Sequence, residues 1–169
     1  MSSTATSSTT LKILAPMNGQ AVPLDQVPDA VFADKVLGDG LGIIPTDGKI
    51  YSPVDGEISS VAETLHAYGF SSDDGLEILV HVGLDTVSLK GEGFKSHVSV
   101  GDRVKAGDLV AEADLGFLKS KGFNTITPVL VCDGADDKTM KTAAGDVKAC
   151  QDAVITLSEE ATKEAAPQE

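Results

Sequence analysis

The chain has 169 residues, of which 41% are hydrophobic and 4% aromatic, and its formal net charge is −13. This length fits one domain with tails, and the shortage of aromatic residues predicts a core of Val, Ile, Leu and Ala. No cluster of Lys and Arg and no apolar run of roughly 20 residues is present, so we expect no nucleic-acid partner and no direct membrane insertion.

The two ends of the chain differ in composition from the middle. Residues 1–10 form a Ser/Thr-rich leader that predicts disorder, and residues 158–169 form an acidic, Ala-rich stretch that predicts a flexible tail. We therefore place the folded domain at 11–157. The leader lacks the basic and apolar regions of a secretory signal, which favours a cytoplasmic protein. Met1 and the polar tail favour a free-standing chain.

Short apolar stretches separated by Gly, Asp and Pro turns predict an all-β fold. Asp-Gly pairs supply the positive φ angles that tight hairpins need. Helices should be short, one over Asp114–Lys121 and a turn near Asp136–Lys141. The predicted strands are Leu11–Ala15, Gly40–Pro45, Gly48–Ser52, Gly56–Ala62, Leu76–Val82, Asp108–Ala113, Ile126–Cys132 and Ala153–Leu157. This pattern indicates an antiparallel β-sandwich or barrel-sandwich hybrid.

The first candidate for chemistry is His81, near the end of the apolar strand Leu76–Val82. The period of two places it on one face with Leu79 and Glu77. Partial burial there disfavours the charged imidazole and leaves a neutral nitrogen able to attack. The carbonyl of Gly83 could hold the Nδ1 proton, which would leave Nε2 as the nucleophile. A purely structural histidine is the alternative.

The second candidate is His66, in the stretch Thr64–Tyr68. If this stretch is extended, Thr64 shares a face with His66 and can orient its imidazole. A hairpin at residues 71–75 would then place His66 beside His81. Two adjacent imidazoles can serve as a nucleophile and a hydrogen-bond donor to phosphate oxygens, or as two ligands of zinc. His97 lies near a turn and is predicted to be a surface residue. The two cysteines are predicted to be reduced and structural.

One long stretch, Glu77–Phe94, closely resembles the active-site signature of the glucose-family enzyme IIA of the bacterial phosphoenolpyruvate–sugar phosphotransferase system. The similarity spans about residues 11–157. Further matching stretches are Ala15-Pro16, Val27–Ala33, Gly38–Gly40, Pro53–Gly56, Thr64–Ala67 and Ile126–Pro128. The fold that this resemblance implies is an antiparallel β-sandwich, in agreement with the turn pattern.

The resemblance implies a phosphotransferase component with a phosphohistidine intermediate. The histidine matching His81 takes phosphate from the phospho-form of the carrier HPr and passes it to a cysteine of the IIB domain of a sugar transporter. The histidine matching His66 steadies the phosphoryl group, and the family's threonine and glycine are present as Thr64 and Gly83. No cofactor is required. Zinc bound by His66, His81 and a partner carboxylate is chemically reasonable.

The resemblance also implies a shallow apolar docking surface around the histidines, with Asp29 and Asp85 as a rim. The positions that match it are Val31, Phe32, Val36, Leu37, Leu79 and Val87, together with Asp85. The alternative for several of the apolar positions is burial in the core. Ala62, Leu79 and Val82 stand where family members often carry Phe, which bears on the choice of partner.

Three other functions fit the sequence less well. A lysostaphin-like zinc peptidase would need a His-x-His pair, whereas His81 is followed by Val82 and Gly83. A lipoyl or biotinyl carrier would need a modifiable lysine at a hairpin tip, a setting that Lys49 and Lys90 lack. A mainly regulatory phospho-switch that docks to other target proteins is compatible with the same histidine chemistry.

Overall fold

The computed structural model describes residues 10–135 and 138–159. Within these residues the chain forms fourteen strands and two short α-helices, α1 (Ala30–Ala33) and α2 (Leu115–Ser120), with 3₁₀ turns at Leu24–Gln26 and Thr86–Leu89. The strands are β1 (Thr10–Leu14), β2 (Gly19–Pro23), β3 (Asp39–Pro45), β4 (Lys49–Tyr51), β5 (Gly56–Val61), β6 (Ala67–Ser72), β7 (Glu77–His81), β8 (Phe94–Ser96), β9 (Arg103–Val104), β10 (Leu109–Ala113), β11 (Thr127–Asp133), β12 (Lys138–Thr142), β13 (Gly145–Val147) and β14 (Ala153–Glu159).

The strands assemble into one large sheet and two small ones. The large sheet has eight strands in the order β13-β2-β3-β11-β7-β6-β5-β9, and the small sheets have the orders β1-β14-β12 and β4-β10-β8. All strand pairs between described residues are antiparallel. The predicted all-β sandwich is therefore confirmed, and β7 lies in the interior of the large sheet between β6 and β11.

Strand β7 follows the alternation that its sequence predicts. Ile78 and Val80 are fully buried in the main core, whereas Glu77, Leu79 and His81 are partly exposed on the other face. Apolar side chains at every second position of a strand fill one face, so the intervening positions remain for polar groups. The core thus holds β7 from one side and leaves His81 on the other.

A smaller apolar cluster covers part of that other face. We call it the outer cluster, and Leu79 packs against it. On β11, Leu130 belongs to this cluster while its neighbours Val129 and Val131 belong to the main core, which places the two clusters on opposite faces of the sheet. The members of the outer cluster are Val22, Leu24, Val27, Phe32, Leu84, Ile126 and Leu130.

The predicted elements and the observed ones differ at several places. Each predicted strand coincides with an observed strand to within a residue or two, and α2 lies inside the predicted helix. The predicted helical turn near Asp136–Lys141 is wrong, because Lys138–Thr142 forms strand β12 beside β14. Helix α1 and six strands were not among the predicted elements: β2, β6, β8, β9, β12 and β13.

The domain limits shift slightly at both ends. Thr10, assigned to the leader, begins β1, and Ser158 and Glu159, assigned to the tail, complete β14. The rest of the predicted leader and tail, residues 1–9 and 160–169, lies outside the described residues, as do 136–137. Cys132 and Cys150 are free thiols. None of the helices in the described ranges is long and apolar enough to cross a membrane.

Candidate functional site

His81 ends β7 with one ring nitrogen already engaged. Its Nδ1 lies 2.7 Å from the backbone carbonyl oxygen of Gly83. A carbonyl only accepts hydrogen bonds, so Nδ1 must carry the proton and donate it. The neutral ring then has its lone pair on Nε2. The hydrogen-bond geometry therefore sets the tautomer that was predicted from the sequence and leaves Nε2 as the nitrogen with a free lone pair.

The carbonyl of Gly83 is aimed at His81 by a tight turn. Gly83 has φ +77°, and a Cβ added to it would lie 2.7 Å from Cγ2 of Thr86. Only glycine adopts such a backbone without strain in so little space. The hydroxyl of Thr86 donates a 2.7 Å hydrogen bond to the carbonyl of Val82, which holds the turn against the following 3₁₀ turn.

His66 is placed by a turn rather than by the extended stretch that was predicted. It immediately precedes β6, and Leu65 before it has a left-handed φ of 61°. The amide of Leu65 donates to the carbonyl of Ala62 at 2.7 Å, which closes the turn. This turn still brings Oγ1 of Thr64 to 2.7 Å from Nδ1 of His66, so the expected side-chain contact forms by a different backbone route.

The two imidazoles meet at the end of the β6–β7 pair. Ala67 of β6 is the register partner of His81, so His66 lies just beyond it. The ring centroids of His66 and His81 are 4.8 Å apart, with an interplanar angle of 81°. The structure thus brings together Thr64, His66, His81 and Gly83, the four residues that the sequence analysis selected.

Burial keeps both imidazoles neutral. It lowers the pKa of His66 to about 4, with a further contribution from the neighbouring His81. Burial also lowers the pKa of His81, an effect partly offset by the Gly83 carbonyl and by the carboxylates of Asp29 and Asp85. Both rings are therefore uncharged at neutral pH, and His81 has the form that can attack an electrophile.

A third ring, that of Phe32, lies against His81. The two ring centroids are 4.9 Å apart and tilted by 57°. Phe32 was predicted to lie in an exposed docking surface, whereas its side chain is 5% exposed and belongs to the outer cluster. Helix α1, which carries Phe32, was missed. The signal available for it was Asp29 as an N-cap directly before an apolar run.

The other predicted docking positions have mixed exposure. Asp85 is exposed and Leu79 is half-buried against the outer cluster. Four of the predicted apolar positions are well exposed: Val31 (46%), Val36 (69%), Leu37 (43%) and Val87 (54%). Val31, Val36 and Leu37 follow one another closely in the chain, and exposed apolar side chains that are grouped on a surface commonly mark interfaces.

The site offers little for a resident metal. Nδ1 of each imidazole is engaged, which leaves the two Nε2 atoms as nitrogen donors. Across residues 10–135 and 138–159 no group of three or more His, Cys, Asp or Glu side chains could hold a metal ion. A structural zinc site uses four ligands and a catalytic one three, so these residues alone do not complete the site of a zinc peptidase.

Arg103 and His97 lie apart from the pair of imidazoles. Arg103 makes two 3.0 Å hydrogen bonds to the carboxylate of Asp73 on the exposed surface. His97 is exposed, as predicted, and its Nε2 lies 2.7 Å from Oε2 of Glu112. Neither the arginine nor the third histidine contributes to the site.

The fold and the site together define an all-β domain that presents an uncharged histidine, with its Nε2 lone pair free, beside a second histidine. A family model for the phosphoenolpyruvate-dependent sugar phosphotransferase system, EIIA 1, matches residues 11–137. The chain therefore belongs to the glucose-family EIIA proteins, which are phosphocarrier domains of sugar uptake. The resemblance found in the sequence is confirmed.

Individual relatives agree with this assignment. The chain is 46% identical over 133 residues to the glucose-specific EIIA component of Bacillus cereus, covering 79% of this chain and 81% of the relative. It is 45% identical to the glucose-specific EIICBA component of Staphylococcus saprophyticus, where 83% of this chain covers 21% of the longer protein. Glucose permease IIA from Mycoplasma capricolum superposes with a TM-score of 0.83 at 38% identity, over 88% of this chain and 96% of that structure.

Proposed function

We propose that this chain accepts a phosphoryl group from phospho-HPr on Nε2 of His81 and passes it to a cysteine of the IIB domain of a sugar transporter. The observation that carries the proposal is the 2.7 Å hydrogen bond from Nδ1 of His81 to the carbonyl of Gly83. It leaves the lone pair of the neutral ring on Nε2. We place the reaction in the cytoplasm.

In the accepting step, the Nε2 lone pair of His81 attacks phosphorus in line with the donor bond. The bond from phosphorus to the donor atom breaks, and its electron pair stays with the donor. The Gly83 carbonyl supports the positive charge that develops on the imidazole of His81. Transfer to the IIB cysteine repeats the step with His81 as leaving group. Positioning and charge stabilisation supply most of the catalysis of such transfers.

His66 supplies the hydrogen bond that steadies the phosphoryl group. If the hydroxyl of Thr64 donates to Nδ1 of His66, the neutral ring carries its proton on Nε2 and can donate it to a phosphoryl oxygen. With its pKa lowered to about 4, His66 is uncharged before phosphate arrives. The incoming negative charge then favours protonation of His66, which strengthens the contact during transfer.

The protein itself supplies no arginine to the transition state, because Arg103 is engaged by Asp73. Hydrogen bonds to the transferring phosphoryl group would therefore come from His66, from backbone N–H groups and from side chains of the partner. Docking would bring those partner groups to the exposed Val31, Val36, Leu37 and Val87, with Asp29 and Asp85 as an acidic rim. A small apolar surface suits a carrier that must release both its donor and its acceptor.

The Staphylococcus relative supports a IIB domain as the acceptor of the phosphoryl group. Its name describes a single EIICBA component, with EIIC, EIIB and EIIA units in one chain. A IIA unit joined to a IIB unit is placed to exchange a phosphoryl group with it. The phosphoryl-charged form of His81 also adds close to two negative charges to the docking surface, so the same chemistry can switch binding to regulatory targets.

Zinc is not needed for this function. The two Nε2 atoms of His66 and His81 are the donors that this chain could give to the ion, so a bound zinc would need a carboxylate from a partner. We propose that zinc binds the complex of this chain with such a partner and not the chain alone.

The test is transfer of labelled phosphate from phosphoenolpyruvate through enzyme I and HPr. Wild type should take an acid-labile, base-stable label and pass it to IIB. His81→Ala should take none, whereas His66→Gln should accept the label and fail to pass it on. His97→Gln is the matched control and should behave as wild type, since His97 pairs with Glu112 away from the site. A wild-type chain that takes no label from phospho-HPr would contradict the proposal.

A further inference from the structure

Helix α1 has one buried and one exposed side. Phe32 is 5% exposed and packs in the outer cluster, whereas its neighbour Val31 is 46% exposed. Val36, shortly after the helix, is 69% exposed. The same short element therefore faces solvent with its valine and the interior of the outer cluster with its phenylalanine.

The ring of His81 is held by three contacts. Phe32 lies 4.9 Å away with a 57° tilt, and His66 lies 4.8 Å away with an 81° angle. The hydrogen bond from Nδ1 to Gly83 fixes the edge opposite Nε2. An imidazole otherwise turns freely about its χ2 angle, which is a broad torsion. Two ring contacts and one directed hydrogen bond restrict that rotation.

The position of Phe32 is itself fixed by the start of α1. The side chain of Asp29 accepts a 3.0 Å hydrogen bond from the amide of Val31, and the amide of Phe32 donates a 3.0 Å bond to the carbonyl of Asp29. A side-chain cap of this kind satisfies an amide that the helix leaves free. The cap fixes the first turn of α1, and this turn places the ring of Phe32 against His81.

We infer that Phe32 is a positioning residue for phosphoryl transfer: its ring holds the imidazole of His81 in the orientation from which Nε2 attacks in line. This inference rests on the proposed function of His81. Small errors in the placement of reacting groups reduce rates strongly. Removing the ring while keeping an apolar side chain should lower the transfer rate about tenfold, the effect of a modest loss of alignment.

A docking role for Phe32 would have a different kinetic effect. A residue that only contacts the partner changes the HPr concentration at which the rate is half-maximal. A residue that positions His81 changes the rate at saturating phospho-HPr and leaves that concentration unchanged. Val36 provides the docking comparison, because its side chain is 69% exposed.

The experiment measures single-turnover phosphorylation of the full chain against phospho-HPr concentration. Phe32→Leu should reduce the saturating rate about tenfold with the half-saturation unchanged, and Val36→Ala should raise the half-saturation with the rate unchanged. Leu24→Ala is the matched control, because Leu24 is 3% exposed in the same cluster. It should lower the melting temperature and leave both kinetic constants as in wild type. Phe32→Met, similar in volume and unbranched, replaces Phe32→Leu if that variant does not fold.

NMR spectra of the His81 ring give a second readout. In Phe32→Leu the His81 ring protons should lose the ring-current shift of Phe32, while the Nδ1 proton bonded to Gly83 remains. An unchanged saturating rate in a folded Phe32 variant overturns the inference, as does an equal fall of that rate in Leu24→Ala. Both outcomes require that wild type is labelled, so they are distinct from failure of the proposed function.

Discussion

The amide of Val82 donates a 2.7 Å hydrogen bond to the carbonyl of His66. The residue that follows one histidine in the chain therefore holds the backbone of the other. This bond continues the β6–β7 ladder by one step beyond the Ala67–His81 register pair. The backbone pairing thus fixes how close the two residues lie, while the turn at Leu65 and the contact to Thr64 orient the imidazole of His66.

The first prediction concerns pH. The pKa of His66 is lowered from 6.5 to about 4, so the unfolded chain binds a proton there more tightly than the native state does. The contribution of His66 to stability is complete above pH 6.5 and declines as pH falls towards about 4. Integrated over that window, the loss amounts to about 3 kcal/mol. Urea unfolding at a series of pH values measures it.

The control for this prediction is His66→Gln, which has no titrating group at the position. Its stability should decline less steeply over the same pH range than that of wild type. Direct NMR titration of the His66 ring should give a midpoint far below 6.5. A midpoint at the ordinary histidine value would contradict the burial of this ring.

The second prediction concerns the hydroxyl of Thr64. Thr64→Val removes the 2.7 Å contact to Nδ1 of His66 and keeps the shape of the side chain. The His66 ring then loses the group that favours its Nε2–H form. Acceptance of label from phospho-HPr should stay close to wild type, and passage to IIB should slow about tenfold, equivalent to one hydrogen bond. Thr64→Ser should restore the rate. Equal slowing of both steps would argue against a role confined to His66.

The third prediction concerns the turn at Gly83. Gly83→Ala must hold an alanine at φ +77° with its Cβ 2.7 Å from Thr86 Cγ2. The left-handed backbone alone should cost about 1–2 kcal/mol, and the close contact adds to that cost. Because the Gly83 carbonyl anchors Nδ1 of His81, the phosphorylation rate should fall as well. Gly75→Ala is a suitable control, since its φ is +90° and no atom lies within 4 Å of an added Cβ. Gly75→Ala should lower the stability of the protein and leave the phosphorylation rate unchanged.

The fourth prediction concerns Tyr68, which is fully buried in the main core. Its hydroxyl lies near Ser96, but it makes no hydrogen bond of standard geometry to any residue that the structure describes. A buried polar group without a partner destabilises the native state, so Tyr68→Phe should stabilise the protein by about 1 kcal/mol. The melting temperature should rise by roughly 2–4 °C. Tyr51→Phe, at a half-buried position, should change it by less. A lower melting temperature for Tyr68→Phe would mean that the hydroxyl is satisfied.

Much of the fold could be predicted because strong local signals coincide with tertiary structure. The alternation in β7 is visible in the sequence, and burial of Ile78 and Val80 follows it residue by residue. The Asp74-Gly75 pair falls between β6 and β7, and Gly75 has the positive φ that was expected of such a turn. The strand β12 carries no such signal: its residues are mostly exposed, and only pairing with β14 makes it a strand.

The site was predictable where short-range chemistry decides it and not where packing does. The Gly83 carbonyl is two residues from His81, so a hydrogen bond between them could be anticipated. Nothing local indicates that Leu65 adopts a left-handed conformation, because leucine rarely does so. The contact between Phe32 and His81 joins residues that are far apart in the chain, and it depends on where α1 packs.

The interior place of β7 in the eight-stranded sheet has a consequence for how steadily the backbone of His81 is held. A strand with neighbours on both sides cannot fray without breaking two ladders, so its backbone opens chiefly through motions that involve the whole sheet. The partly exposed ring of His81 is thus carried by a segment whose amides should be among the last in the molecule to exchange with deuterium.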